Sequence, residues 1–287
     1  MTPLQAVILG LVEGVTEYLP ISSTGHLIIT AWLLGLDRPP ETKAAVDAFN
    51  IILQGGAILA VAGLYRSRVL SMLRGVAGRD VAGRRLLINL FVAFLPAAMV
   101  GPFLDGLIER HLFRPVPVII ALFVGGVLLL GIRRWQNRVF AREDGFTTID
   151  QLSWRQALAI GAMQCVAMVP GTSRSMMSIV GGMVVGLRPR EAAEFSFLLG
   201  LPTLGAACLY KLAKSIDQHG AGFIDQLGGW TPVLLGMVTA TISAAIAVKW
   251  LVGYLSKHGM ALFGWYRIAL ALFLAWLVWG KGFDVAP

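Results

Sequence analysis

The chain carries the stretch Glu13-Gly-Val-Thr-Glu17-Tyr-Leu-Pro20-Ile-Ser22-Ser23-Thr-Gly-His26 inside an otherwise apolar N-terminal segment. A charged side chain in the hydrocarbon of a bilayer costs about 2.5 kcal/mol or more. This stretch holds two carboxylates and an imidazole within fourteen residues. Packing alone does not require such groups, so the stretch indicates a functional site.

The composition is that of an integral membrane protein. Of the 287 residues, 56% are hydrophobic and 14% are charged, whereas soluble domains have about 25% charged residues. The basic residues behind the net charge of +8 lie in short loops, where they set membrane orientation, so nucleic acid is not an expected partner. Six spanning helices are predicted around the apolar runs 48–65, 86–104, 115–132, 195–210, 226–248 and 268–280.

Two further apolar segments are broken in the middle. Residues 3–19 and 24–36 are too short to span alone, and Pro20 between them disfavours a continuous helix. Residues 155–169 and 175–187 repeat this pattern around Pro170. Irregular backbone at membrane depth must be covered by protein or by a water-filled cavity. Each segment is therefore predicted to be a re-entrant helical hairpin.

The chain also contains an internal duplication. Gln5-Ala6-x-x-x-Gly10-x-x-Glu13 recurs as Gln156-Ala157-x-x-x-Gly161-x-x-Gln164, 151 residues later. Each half then has one hairpin and three spans, and this odd number of crossings inverts the second half relative to the first. We predict an all-α membrane protein with inverted-topology repeats. A single domain, 1–287, would comprise repeats at about 1–135 and 150–287.

Loop charge predicts the orientation of the chain. The loop at 66–85 has six arginines and the segment at 133–155 has five, and cytoplasmic loops carry such an excess. Arg267 is counted with this cytoplasmic set. The first hairpin then enters from outside and the second from inside, with their tips near the midplane.

The two breaks together hold the groups expected around a phosphate. Glu13 and Glu17 share one helical face, an arginine grips phosphoryl oxygens bidentately, and helix N-termini favour anions. A serine beside a base can act as a nucleophile, and histidine can move a proton near neutral pH. The hydroxyls, imidazole and guanidinium come from Ser22, Ser23, Thr24, His26, Ser173, Arg174, Ser175 and Ser178.

At these residues the chain resembles the bacterial undecaprenyl pyrophosphate phosphatases of the BacA type over its whole length. Two long motifs carry the resemblance: Glu13-Gly-x-Thr-Glu17-Tyr-Leu-Pro-Ile-Ser-Ser-Thr-Gly-His26 and Pro170-Gly-Thr-Ser-Arg174-Ser-x-x-Ser178. The chain departs from the family at Ser178, which replaces a threonine, and at Met176-Met177, which replace small residues. The added bulk would either narrow a phosphate pocket or pack against lipid.

The resemblance implies hydrolysis of the terminal phosphate of undecaprenyl pyrophosphate, which recycles the lipid carrier of cell-wall synthesis. It also implies a site open to the periplasmic side of the bacterial inner membrane and a divalent cation, Mg²⁺ or Ca²⁺. The expected partners are the polyprenyl pyrophosphate lipid and the bilayer. Association into a homodimer is left open.

Each site residue has an expected role. Ser23 is the predicted nucleophile, His26 the acid or base, Glu17 the group that orients or deprotonates the nucleophile, and Arg174 the phosphate-binding group. Glu13 and Glu17 are the candidate cation ligands, and the residues do not distinguish base from ligand. A phosphoseryl intermediate and direct attack by water both stay open. Further candidates for substrate binding are Ser173, Ser175, Ser178, Gln54 and Thr24, although the hydroxyls also suit helix capping.

The main alternative function is a secondary transporter or lipid flippase, because broken helices in inverted repeats are typical of transporters. The serine, histidine and arginine set favours the enzyme. Glu194 fits a site or packing equally well, and Gln164 is expected to be structural. Gly125-Gly126 are predicted helix-packing positions. Aromatic residues near span ends, including Tyr266, are predicted to be interfacial anchors without chemistry.

Overall fold

The computed structural model describes residues 1–36, 40–112, 114–139, 146–219, 224 and 227–281, without the side chains of 40–44, 109, 133–139, 214–219 and 281. The fold is all-α in these residues, with one isolated β-bridge between Thr147 and Leu187. The helices are α1 (Pro3–Glu17), α2 (Ser23–Leu33), α3 (Pro40–Leu64), α4 (Arg66–Val76), α5 (Val81–His111), α6 (Pro115–Val139), α7 (Trp154–Cys165), α8 (Arg174–Val184), α9 (Pro189–His219), α10 (Trp230–His258) and α11 (Ala261–Lys281).

Six helices in the described residues are long and apolar enough to cross a bilayer, and each contains or overlaps one of the six predicted runs. They are Ala45–Leu64, Val81–Ile108, Pro115–Ile132, Pro189–Ala213, Trp230–His258 and Ala261–Gly280. The predicted loop at 66–85 contains a helix that the sequence pattern did not indicate, α4. Part of the second basic segment, 140–145, lies outside the described residues, as does Arg38.

Both predicted breaks are present, and they are built alike. The first separates α1 from α2 and the second separates α7 from α8. Thr2 and Ser153 each begin a helix with a capping box. The amide of Gln5 donates to the Leu34 carbonyl at 3.2 Å and that of Gln156 to the Val185 carbonyl at 2.8 Å. Partners in each comparison are 151 residues apart.

The residue before the second helix of each hairpin has the same unusual backbone. Ser22 has a φ of 74° and Ser173 a φ of 76°, and they are the non-glycine residues with positive φ in the described chain. Such a conformation costs about 1 kcal/mol or more for an L-residue. It persists only where the surroundings enforce it, so both hairpin turns are held by specific contacts.

Each hairpin packs against a span from the other half of the chain. α1 lies on α10, with Gly10 against the Gly236 backbone and Gly14 against Ser243. α7 lies on α5, with Gly161 against the Ala93 backbone. A side chain at any of these glycines would overlap the neighbouring helix. α3 packs with α9 and α6 with α11, which brings the two hairpin turns together.

Met176 and Met177 do not face lipid. Both are buried in the largest apolar cluster, which also contains Tyr18 and Phe197. Neither lines the cavity described below. Their bulk therefore fills the protein interior, and neither outcome expected from the sequence applies.

Candidate active site

A cavity of about 150 Å³ opens between the two hairpin turns. The first turns of α2 and α8 line it, so two helix N-termini lie at its wall. The first N–H groups of a helix have no partner within the helix itself. Ser22 makes no side-chain cap for α2. The full lining is Glu17, Ser22, Ser23, Thr24, Gln54, Ala167, Pro170, Gly171, Ser173, Arg174 and Leu204.

Glu17 links the two halves of this cavity. The Ser23 hydroxyl donates to Glu17 Oε2 at 2.8 Å. Arg174, from the second hairpin, donates through Nε and Nη2 to Glu17 Oε1, each at 3.4 Å. Both side chains of the ion pair are nearly buried. The carboxylate thus contacts the candidate nucleophile with one oxygen and the candidate phosphate-binding group with the other.

Arg174 is held on three sides. Its Nη1 donates to the Ser196 carbonyl of α9 at 3.0 Å, and its guanidinium lies over the Tyr18 ring at 5.5 Å from the centroid. Gly200 leaves room beside the guanidinium. An arginine fixed in this way presents its remaining N–H groups in a defined direction, and Arg174 is part of the cavity wall.

Glu13 lies one turn from Glu17 and is fully buried. Neither of its carboxylate oxygens has a hydrogen-bond partner in the described residues. An orphaned buried carboxylate is costly, and it requires a proton or a cation nearby. Its repeat counterpart, Gln164, is also buried and donates to the Thr203 hydroxyl at 3.3 Å, which agrees with the structural role expected for it.

The hydrogen bonds of the His26 ring go to residues other than Ser23. Its Nδ1 lies 2.7 Å from the Ser22 carbonyl oxygen, and because a carbonyl only accepts, Nδ1 carries the proton. Nε2 lies 2.6 Å from the Tyr266 hydroxyl oxygen, and the two rings are stacked. In a neutral ring, Nε2 accepts this hydrogen bond. Tyr266, expected to be an anchor without chemistry, is therefore the partner of a site histidine.

Three of the predicted hydroxyls have structural partners. Ser173 accepts from the Met176 amide and caps α8, although it also lines the cavity. Ser175 is fully buried and donates to the Leu19 carbonyl at 2.9 Å. Ser178 is fully buried and bonds the Ser196 hydroxyl at 2.6 Å. The cavity lining includes neither Ser175 nor Ser178.

Residues outside the hairpins complete the arrangement. Gln54 of α3 reaches the cavity wall. Glu194 accepts from Arg68 at 2.9 Å, away from the cavity lining.

Arg267, assigned to a cytoplasmic loop from its charge, is instead fully buried within α11. That assignment is wrong because the positive-inside rule counts charges and cannot separate a loop arginine from one that binds backbone carbonyls.

The described residues contain no group of three or more His, Cys, Asp and Glu side chains able to hold a metal ion. Mg²⁺, however, is usually held by one or two carboxylates together with substrate phosphates and water. The orphaned oxygens of Glu13, one turn from Glu17, fit that kind of incomplete site.

Comparison with known proteins gives consistent matches over nearly the whole chain. The chain is 45% identical to the undecaprenyl-diphosphatase of Nitrosomonas europaea over 94% of its length and 92% of that protein. It is 42% identical to the undecaprenyl-diphosphatase of Sorangium cellulosum, over 95% and 85% of the two chains. The family described as "Bacitracin resistance protein BacA" matches residues 6–273. The chain belongs to the BacA family.

Proposed function

We propose that this protein hydrolyses undecaprenyl pyrophosphate to undecaprenyl phosphate and inorganic phosphate. The observation that carries the proposal is the contact of Ser23 with Glu17, and of Glu17 with Arg174, at the wall of one cavity. The relatives named undecaprenyl-diphosphatase support the substrate. The names of these relatives do not support the transporter alternative.

In the proposed reaction, the terminal phosphate of the substrate lies between the N-termini of α2 and α8. Arg174 and the free N–H groups of these helices balance the charge on the phosphoryl oxygens. Ser23 Oγ attacks phosphorus, and Glu17 accepts the hydroxyl proton. The bond from phosphorus to the bridging oxygen breaks, and Glu17 passes the proton to the departing undecaprenyl phosphate. Glu17, again ionised, then takes a proton from a water molecule whose oxygen attacks phosphorus. The bond from phosphorus to Ser23 Oγ breaks, and Glu17 returns that proton to Ser23 as inorganic phosphate leaves.

Thr24, Gln54 and Ser173 are proposed to donate hydrogen bonds to the pyrophosphate, because they line the cavity. The contacts of His26 favour positioning over proton transfer, since both ring nitrogens are engaged by Ser22 and Tyr266. Ser175 and Ser178 are proposed to support the turn of the second hairpin, and their predicted contact with substrate is not supported by their burial.

The divalent cation is proposed to bind Glu13 and Glu17 together with substrate phosphate. Its chemistry would be neutralisation of pyrophosphate charge as the bond breaks. Glu13 would then be a ligand, while the contacts of Glu17 with Ser23 and Arg174 fit a base more directly.

The proposal is tested by phosphate release from undecaprenyl pyrophosphate in the presence of Mg²⁺ or Ca²⁺. Ser23→Ala is expected to lower kcat about 1,000-fold, because the nucleophile is lost. Thr30→Ala is the matched control. Within the described part of the chain, the Thr30 hydroxyl donates only to the His26 carbonyl of the same helix, so the activity of this variant should match that of the wild type. Phosphoserine at Ser23 in acid-quenched protein would support the covalent route. Wild-type protein without phosphate release, or Ser23→Ala with full activity, would contradict the proposal.

We further propose that the two hairpins are re-entrant and that the halves are inverted repeats in the bacterial inner membrane, with the cavity open to the periplasm. The matched hairpin contacts 151 residues apart support the repeats. The arginines at 66–85 support the orientation, because cytoplasmic loops carry an excess of basic residues. A homodimer stays a prediction.

The proposed orientation predicts from which side of the membrane an impermeant maleimide reaches each end of α5. In a chain with Cys165 and Cys208 replaced by alanine, Ala77→Cys should react with an impermeant maleimide only after the cytoplasmic face is opened. His111→Cys, at the opposite end of α5, should react in intact spheroplasts. Both positions are exposed. The reverse labelling pattern would invert the proposed topology.

A further inference from the structure

Arg267 connects the two hairpin turns directly. Its Nη2 donates to the Gly171 carbonyl at 2.8 Å and its Nη1 to the Pro20 carbonyl at 3.4 Å. Pro20 and Gly171 are 151 residues apart and occupy matching places in the two breaks. Nη2 also donates to the Ala121 carbonyl of α6 at 3.1 Å. One side chain from α11 therefore holds both turns.

The position is expensive for a cation. Arg267 is fully buried, and the hydrogen bonds of its guanidinium in the described structure all go to neutral backbone carbonyls. Among the residues that the structure describes, its Nε has no hydrogen-bond partner. A charge buried without a carboxylate costs several kcal/mol. A role in anchoring the helix alone does not require it, because an apolar side chain would fill the same space more cheaply.

Two of the three carbonyls it binds, those of Pro20 and Gly171, lie outside the helices. Each is in an irregular turn, two residues before a serine with positive φ, Ser22 or Ser173. The planar guanidinium fixes several acceptors in one plane, which a lysine ammonium cannot do. Pro20 lies three residues before Ser23, and Gly171 lies three residues before Arg174. The distance between the nucleophile and the phosphate-binding group thus depends on this bridge.

We propose that Arg267 is a positioning residue that sets the register of the two hairpin turns, so that Ser23 and Arg174 meet the same phosphorus atom. This inference rests on the proposed function and extends it to a residue outside both motifs. Loss of the bridge leaves each half of the site intact but displaces one against the other. A displacement of about 1 Å at a reacting centre costs about 100-fold in rate.

The kinetic test is Arg267→Lys, which keeps the charge. We expect kcat for phosphate release to fall about 100-fold and KM to change less than about threefold, because ground-state binding to Arg174 persists. Inhibition by orthovanadate, which resembles the transition state and needs both halves, should weaken by a similar factor. Inhibition by inorganic phosphate should change less than about threefold.

A second variant keeps the proposal testable if Arg267→Lys misfolds. A Cβ at Gly125 would overlap the Arg267 guanidinium, so Gly125→Ala displaces the arginine without removing it. Gly125→Ala should likewise lower kcat much more than it changes KM. Gly131→Ala is the matched control on the same helix, because no described atom lies within 4 Å of its added Cβ, and its kinetics should equal those of the wild type.

A spectroscopic test does not depend on activity. Nitroxides placed at Leu33 and Val184, the exposed ends of α2 and α8, should give one narrow distance distribution by pulsed EPR, in a chain with Cys165 and Cys208 replaced by alanine. Arg267→Lys should broaden or shift that distribution.

The outcomes separate the two proposals. Wild-type kcat and an unchanged distance distribution in Arg267→Lys would overturn the positioning role. So would a fall in kcat that only follows the fraction of folded protein. A wild-type protein that releases no phosphate would overturn the proposed function instead, and the EPR measurement would still decide whether Arg267 sets the hairpin register.

Discussion

Arg174→Lys is expected to lower kcat/KM for phosphate release by about 100- to 1,000-fold, the usual cost of losing a preorganised donor to a developing oxyanion. Arginine reaches Ser196, Glu17 and the cavity at once. Lysine has one ammonium group on a flexible stem and cannot make all of these contacts. Initial rates over a range of lipid concentrations measure the effect.

Arg68→Lys is the control for Arg174→Lys. Arg68 pairs with Asp150 and Glu194 through two guanidinium nitrogens and is partly exposed, so the same substitution there keeps the charge and loses the guanidinium geometry away from the cavity. We expect its kcat/KM to stay within about twofold of the wild type. Equal losses in the two variants would mean that the effect comes from the fold and not from phosphate binding.

Glu17→Gln is expected to lower kcat about 1,000-fold, within the range for loss of a general base. The amide oxygen still accepts a hydrogen bond from Ser23 but cannot take its proton. The ion pair with Arg174 is lost in the same change. Because the amide is close in shape to the carboxylate, KM should change much less than kcat.

Glu194→Gln makes the same chemical change at the Arg68 ion pair and should leave kcat near the wild-type value. A second measurement tests the role of Glu17 itself. The contrary outcome is that Glu17→Gln mainly weakens substrate binding, seen as a rise in KM with little change in kcat. Glu17 would then act through Arg174 or a cation and not as the base for Ser23.

The spans and breaks were predictable because their signals are local. Six apolar runs and two proline-containing interruptions follow from hydropathy and from the chemistry of residues such as Pro20 and Pro170. The proximity of Glu17 and Arg174 could be predicted only from the internal duplication. The repeat places both residues near a hairpin tip, and the charges then pair across 157 positions of sequence.

The detailed partners were not predictable from spacing. Ser23 and His26 lie three residues apart on one helix, which favours contact, but the ring of His26 turns toward Ser22 and Tyr266. Tyr266 was predicted to be an anchor at the membrane interface, and Arg267 was counted with the cytoplasmic residues. The sequence pattern does not show that α11 packs against α6 beside the hairpin turns. The available signal was that Arg267 separates two stretches without Asp, Glu, Lys or Arg, 258–266 and 268–280.

Gly125 and Gly126 lie where α6 packs against α11, as predicted, with Gly126 close to the Gly264 backbone. The sequence did not show that the neighbour of Gly125 is the Arg267 guanidinium. Ser175 and Ser178 bind the backbone and Ser196 because the interior of the second hairpin is tightly filled around Met176 and Met177. Side-chain volume there decides which hydroxyls reach the cavity.

The packing of each hairpin on a span from the other half has a consequence for biosynthesis. The ribosome delivers α1, with Glu13 and Glu17, long before it delivers α10, the helix that covers α1. The first hairpin synthesised must therefore wait, with its carboxylates unshielded, until more than two hundred further residues have been inserted. Chains truncated before residue 230 should consequently be recognised by membrane quality control as unfinished, even though most of their helices are already in place.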